Sequence, residues 1–148
     1  MILVRHILND ARKRLVILDR EALLSEAAAA LANPGTPLVV VCDREGIAVG
    51  VVSKTDIMKA LAGGSGPGVT PTAGNIMMQP IFSCHAEQTL ARVWEIVNTR
   101  SLRAVPILDD SGQPLGIVHA RDLARALLDE ASEEEVLLRD YVLGVGYQ

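Results

Sequence analysis

Apolar residues along this chain follow two different rhythms. Short, nearly unbroken runs of Val, Ile, Leu and Cys at residues 37–42, 47–53, 104–108 and 115–119 read as strands, and 14–18 and 81–84 as shorter ones. Residues 21–33 and 87–100 instead place apolar side chains at i, i+3/i+4 spacing, which predicts amphipathic helices. Leu23, Leu24, Ala27 and Leu31 form the stripe in one, and Leu90, Val93, Trp94 and Val97 in the other. Pro34-Gly35 stops the first helix. Asp43-Arg44-Glu45-Gly46 and Asp109-Asp110-Ser111-Gly112 turn two hairpins, and a helix follows each, near 54–62 and 120–130. Strands this continuously apolar predict sheets covered on both faces.

The two halves of this pattern are one pattern. At an offset of about 66 residues, without a gap, Glu21 falls on Glu87, Val39 on Val105, Asp43 on Asp109, Gly50 on Gly116, Asp56 on Asp122 and Leu61 on Leu127. The chain is therefore a duplication of a β-α-β-β-α unit. It divides into a first repeat over 1–64, a Gly/Pro-rich linker over 65–73, a second repeat over 74–131 and a C-terminal segment over 132–148. In that last segment Ser132-Glu133-Glu134-Glu135 predicts a capping box that opens a separate short helix. The apolar residues after 141 are expected to dock on the body or on a partner chain.

Composition narrows the function classes. Of 148 residues 49% are hydrophobic but only 3% aromatic, so the core must be aliphatic. A net charge of −4 gives no general pull toward DNA or an anionic membrane. No apolar run is long enough to span a bilayer, and residues 1–6 lack the pattern of a signal peptide, so a cytoplasmic location is expected. Arg12-Lys13-Arg14 reads as a solvated strand entrance. Cys42 and Cys84 read as buried reduced thiols, and no Cys/His spacing suits a metal. The Gly63–Gly68 stretch lacks the Lys-Ser/Thr of a phosphate-binding loop. Nothing resembles a nucleophile–base pair or a catalytic carboxylate pair, which argues against an enzyme.

Candidate chemistry sits where the last strand of each repeat meets its second helix. Gly50-Val51-Val52-Ser53-Lys54-Thr55-Asp56 and Gly116-Ile117-Val118-His119-Ala120-Arg121-Asp122 both place a helix N-terminus, which favours anions, beside a carboxylate that can accept from paired hydroxyls. Ser53-x-x-Asp56 is equally a capping box that needs no ligand. The second repeat keeps Asp122 although His119 is a poor N-cap, which tilts the reading modestly toward a ligand.

These residues resemble CBS domains, the regulatory units named after cystathionine β-synthase that occur in tandem pairs called Bateman modules. The resemblance covers about 4–130. It rests on the element order, the strand Val105-Pro106-Ile107-Leu108-Asp109, Gly50 and Gly116, the Ser53-Lys54-Thr55-Asp56 signature and the lead-in Asn75-Ile76-Met77. It implies a mixed α/β fold in which two sheets pack about a pseudo-twofold axis and leave two clefts. It also implies that adenosine-containing ligands (AMP, ADP, ATP or S-adenosylmethionine) bind there. In the first cleft Asp56 would hold the ribose, Ser53 and Thr55 would meet ribose or phosphate, and Ile81 and Phe82, with Ile117 behind, would face the base. Arg103 would reach a phosphate. The second cleft would use Asp122, Arg121 and His119 with Leu15, Val16 and Val51. There His119 and Arg121 replace hydroxyls, so it is either dead or suited to a more anionic ligand. On their own merits Ile81, Phe82 and Ile117 are core residues and Arg103 is a surface cation.

The expected function is thus a stand-alone bacterial-type sensing module that requires no cofactor and takes an adenine nucleotide or S-adenosylmethionine as regulatory ligand. It would act as a homodimer, with the Ala-rich stretch at 27–30 contributing contacts, or on a regulated protein in trans, without DNA or membrane partners. The alternative is an interaction scaffold with degenerate clefts.

Overall fold

A computed structural model of the protein describes residues 1–63 and 71–143. A 3-10 turn (Val4–Ile7) leads into α1 (Leu8–Lys13), followed by β1 (Ile17–Asp19), α2 (Leu24–Leu31), β2 (Leu38–Cys42), β3 (Ala48–Ser53) and α3 (Lys54–Gly63). The second half runs α4 (Ala73–Ile76), α5 (Leu90–Thr99), β4 (Ala104–Leu108), β5 (Pro114–His119) and α6 (Ala120–Leu143). Parallel β1–β2 and antiparallel β2–β3 make one sheet, and antiparallel β4–β5 the other. The duplication is visible in the register: Val40 opposes Val51 in one hairpin and Pro106 opposes Ile117 in the other. Both hairpins carry an irregularity at the same place, between Val41 and Cys42 and between Ile107 and Leu108.

The turns explain why both hairpins form alike. Asp43 Oδ1 accepts from the Glu45 and Ile47 amides at 2.9 and 3.1 Å, and Asp109 Oδ1 from the Ser111 and Gln113 amides at 2.9 Å each. Each turn closes on a glycine in the left-handed region, Gly46 at φ +81° and Gly112 at φ +92°, where a side chain is strained.

Alternation along β2 divides its side chains between two cores. Val39 and Val41 pack with Ala27, Leu31, Val52 and Ile57 inside the first repeat. Leu38, Val40 and Cys42 face the other way and meet Ala104 and Ile117 of the second sheet. The sheets therefore pack face to face, and all five β2 residues are buried. Both cysteines are buried free thiols, and burial pushes Cys84 up to about 12. Of the alanines at 27–30, Ala27 is fully buried, Ala28 and Ala30 pack partly buried against the same core, and Ala29 is exposed.

Each repeat is completed by the lead-in of the other. Val4 and Ala11 belong to the core of the second repeat, and Ala73, with Ile76 and Met77, to that of the first. The Val4 and Arg5 amides donate to Gln88 O and Ala86 O, as the Ala73 and Gly74 amides donate to Ala22 O and Arg20 O. Gly50 and Gly116 make the crossing possible. A Cβ on Gly116 would lie 2.8 Å from the Ala11 carbonyl carbon, and one on Gly50 2.9 Å from Met77 Cβ.

Four expectations are corrected. Residues 81–84 form no strand: Cys84 makes only an isolated bridge to Ile107. The first strand begins at Ile17 rather than at Arg14, because Arg12 and Lys13 close α1. Residues 4–13, for which the apolar pattern predicts no element, are helical. Ser132 opens no new helix. α6 runs unbroken through it, because no Gly or Pro interrupts Ala120–Leu143 and Glu135 pairs with Arg139 at 3.3 Å. Of the linker predicted over 65–73, residues 65–70 lie outside the described residues, as does the tail over 144–148, while Thr72 bridges to Leu23 and Ala73 opens α4.

Gly116→Ala should lower stability by about 1–3 kcal/mol in urea unfolding, since the Ala11 backbone cannot yield. Gly63→Ala, with open space around it, should cost nothing measurable. Equal stability of Gly116→Ala and the parent would contradict the close crossing.

Candidate functional site

The first cleft opens between the repeats as a cavity of about 280 Å³. Ser53, Thr55 and Asp56 form one wall at the start of α3, with Val51 beside them. Pro37, Met78, Pro80, Phe82, Leu102 and Arg103 close the rest. Five of the residues assigned to this cleft by sequence are thus brought together: Ser53, Thr55, Asp56, Phe82 and Arg103. Ile81 and Ile117 are not on its wall. Ile117 is 1% exposed inside the inter-sheet cluster, and Val51, assigned to the second cleft, lines the first instead.

Local chemistry at Asp56 combines both readings left open above. Its Oδ2 accepts from the Ser53 amide at 2.8 Å and from Ser53 Oγ at 3.0 Å, the bonds of a capping box. Oδ1 has no protein partner among the described residues. The carboxylate is buried at 9% exposure, so one oxygen anchors the helix and the other is left for the cavity. Thr55 is exposed beside it. Arg100 lies 4.1 Å from the Phe82 ring centroid and fixes that ring in the wall.

The second cleft keeps the carboxylate, as Asp122, but departs from this geometry around it. Arg14, which stands where Pro80 stands in the other repeat, bonds Asp122 Oδ2 at 2.8 Å and approaches His119 Nδ1 at 3.5 Å. The cleft is divided. His119 and Arg121 line a cavity of about 360 Å³ with Arg103, Pro34, Gly35 and Pro37. Asp122, Ile117 and Arg14 line another, between α1 and α6, which His119 also borders. Val16 borders a third with Lys13 and Arg14, while Leu15 packs against the inter-sheet cluster. Asp122 therefore does not share a cavity with Arg121.

Sequence reasoning missed Arg14 because its own stretch reads as a solvated run. The signal was the repeat offset, which sets a cation opposite the proline of the other copy. Met78, Pro80 and Leu102 were also missed; no residue type distinguishes them from core. Among the described residues no cluster suits a metal ion, and no helix is long and apolar enough to cross a membrane.

Two sheets packed across the inter-sheet cluster, with paired clefts at the strand–helix junctions, define a tandem ligand-cleft module. The CBS domain family model matches residues 4–63 and 73–129, and the chain belongs to that family as a tandem CBS module. A CBS domain pair of protein MJ0100, crystallised with 5′-methylthioadenosine and S-adenosyl-L-methionine, is similar at TM-score 0.71 and 25% identity. The match covers 86% of this chain and 97% of that one. A CBS-domain protein of Agrobacterium tumefaciens is similar at TM-score 0.70 and 25% identity, over 84% and 92%. An uncharacterized 17.7 kDa protein of Acidianus ambivalens is 27% identical over 119 residues, 80% of this chain and 71% of that protein. Arabinose 5-phosphate isomerase GutQ of Salmonella typhi is 26% identical over 96 residues, 65% of this chain but 29% of the enzyme.

Burial, then Arg14 and Arg121, push the His119 imidazole below its ordinary value against the opposing pull of Asp122. The folded chain resists a proton that the unfolded chain accepts near pH 6.5. Stability present above that pH is therefore lost as pH falls through it. The urea midpoint of His119→Gln should fall less than the parent's between about pH 7.5 and 5.5. Parallel curves would contradict this placement of the ring.

Proposed function

We propose that this chain is a ligand-sensing regulatory module whose first cleft takes the adenosine part of AMP, ADP, ATP or S-adenosylmethionine. The observation that carries the reading is the buried Asp56 carboxylate, held by Ser53 through one oxygen and open to a cavity between the repeats through the other. A carboxylate so fixed accepts from vicinal ribose hydroxyls without reorganising. Ser53 and Thr55 offer hydroxyls to ribose or phosphate, Arg103 a charge for phosphate, and Val51, Met78, Pro80 and Phe82 apolar surface for the base. The adenosine ligands of the MJ0100 pair support the class of ligand.

A ligand held between the repeats signals only if it binds one packing arrangement more tightly than another. We take the signal to pass to a second copy of the chain or to a regulated protein in trans. Met58, Leu61 and Leu128, each about two-thirds exposed, give α3 and α6 apolar surface for such a contact. A scaffold reading is favoured by one observation, the exposed Val136, Leu137, Leu138 and Tyr141 on the outer half of α6.

Adenosine ligands separate these readings. At a hundred times its dissociation constant a ligand adds about 2.7 kcal/mol, a plain rise in melting temperature. AMP, ADP, ATP, 5′-methylthioadenosine and S-adenosylmethionine are the ligands to test. The shift should vanish in Asp56→Ala and shrink in Thr55→Val, which leaves the cap intact. No shift with any of the five would remove the sensing reading and leave the scaffold.

A further inference from the structure

One face of α6 follows a heptad rhythm over its whole length. Spacings of four and three lead from Leu123 and Leu127 through Glu130 and Glu134 to Leu137 and Tyr141, the a and d positions of a coiled-coil seam. The first pair packs on the core of the second repeat. At the edge of the body Glu130 meets the Met1 amino group at 3.3 Å. The last pair, with Leu138 beside it, belongs to none of the three apolar clusters. Leu137, Leu138 and Tyr141 are 68%, 67% and 70% exposed, an apolar stripe of the kind that marks a contact surface. The CBS family match ends at residue 129, so this half of the helix lies beyond the part shared with other CBS domains.

The chain's own body does not cover the stripe. No Gly or Pro bends α6, and its rise carries Tyr141 about 16 Å beyond Glu130. Charge then selects among outside partners. Asp129, Glu130, Glu133, Glu134 and Glu135 run directly before the stripe and repel nucleic acid and anionic lipid. A second α6 laid parallel would set each of these carboxylates against its own copy. Laid antiparallel, with Leu137 of one copy against Tyr141 of the other, the same helix is self-complementary. Two a–d layers form, Leu138 meets Leu138 at the flanking e position, and the two acidic runs point to opposite ends with the two bodies.

We propose that the outer half of α6 pairs antiparallel with the same segment of a second copy of this chain, through Leu137, Leu138 and Tyr141. Such a pair buries on the order of 1,000 Å², the lower end for a specific contact, so the dimer is weak and concentration-dependent. The pairing does not rest on the nucleoside reading of the first cleft.

Sedimentation equilibrium of the full chain without ligand should show a monomer–dimer equilibrium. Leu138→Glu should raise its dissociation constant by about tenfold or more, and should leave the melting temperature of the monomer unchanged because the side chain packs on nothing there. Oxidative cross-linking reads the orientation, since the native thiols Cys42 and Cys84 are buried. Leu138→Cys should give a disulfide-linked dimer, and Glu134→Cys should not, because antiparallel pairing separates the two copies of residue 134 by about 15 Å along the axis. A parallel pair inverts this pattern, and that result would overturn the proposal. So would a chain that stays monomeric up to about 1 mM. A dimer that Leu138→Glu leaves intact and Met58→Glu dissolves would also overturn it, by placing the contact on α3. None of these measurements includes a nucleotide, so their outcome is separate from that of the melting shifts proposed above.

Discussion

The structure depends on a reciprocal exchange between its halves. Ala11 and Met77 are the same position in the two repeats, and each is pressed against the glycine of the other copy, Gly116 and Gly50. Without this crossing neither core is complete, because Val4 and Ala11 close the second and Ala73 the first. A single repeat would leave those surfaces in water, and a unit of this size has little other apolar area to bury. The face-to-face packing of Leu38, Val40, Ala104 and Ile117 then follows from the same pairing. The clefts are the edges that this packing leaves open.

A small difference in the exchanged segments makes the clefts unlike. The Val4 amide plays the part of the Ala73 amide, an offset of 69 residues, whereas Ala11 and Met77 differ by 66. The first lead-in therefore contains three more residues, accommodated as the extra helical turn of Val4–Lys13. Helix persists to Lys13, and its C-cap Arg14 delivers a guanidinium to Asp122. The second lead-in leaves the helix at Met77, pairs Met78 with Val51, and brings Pro80 to the wall of the first cleft. One aspartate is neutralised by its own chain and the other keeps an oxygen free. A duplicated strand–helix junction has thus diverged without losing either carboxylate.

Much of the fold was legible because it is written in periodicity. Unbroken apolar runs on either side of Asp-to-Gly turns marked the hairpins, 3.6-residue stripes marked α2 and α5, and the offset tied Asp56 to Asp122. The failures have local causes. Residues 81–84 look like a strand but reach only one bridge, because pairing is decided by a neighbour and not by propensity. Ser132 has a capping pattern inside a run of good helix formers, and the run prevails. At the site, Ser53, Thr55 and Asp56 lie in one continuous motif and were readable together. The role of Arg14 was not, since it depends on helix length 105 residues away from its neighbour His119.

With Asp122 taken by Arg14 and one oxygen of Asp56 free, the two related clefts should hold one nucleoside between them. Counting bound 5′-methylthioadenosine per chain by equilibrium dialysis, with S-adenosylmethionine as a second ligand, addresses it directly. Saturation is expected at about one molecule per chain, with a second site appearing only when Arg14→Ala frees Asp122. Two molecules bound by the parent chain, or a single molecule that survives Asp56→Ala, would contradict it.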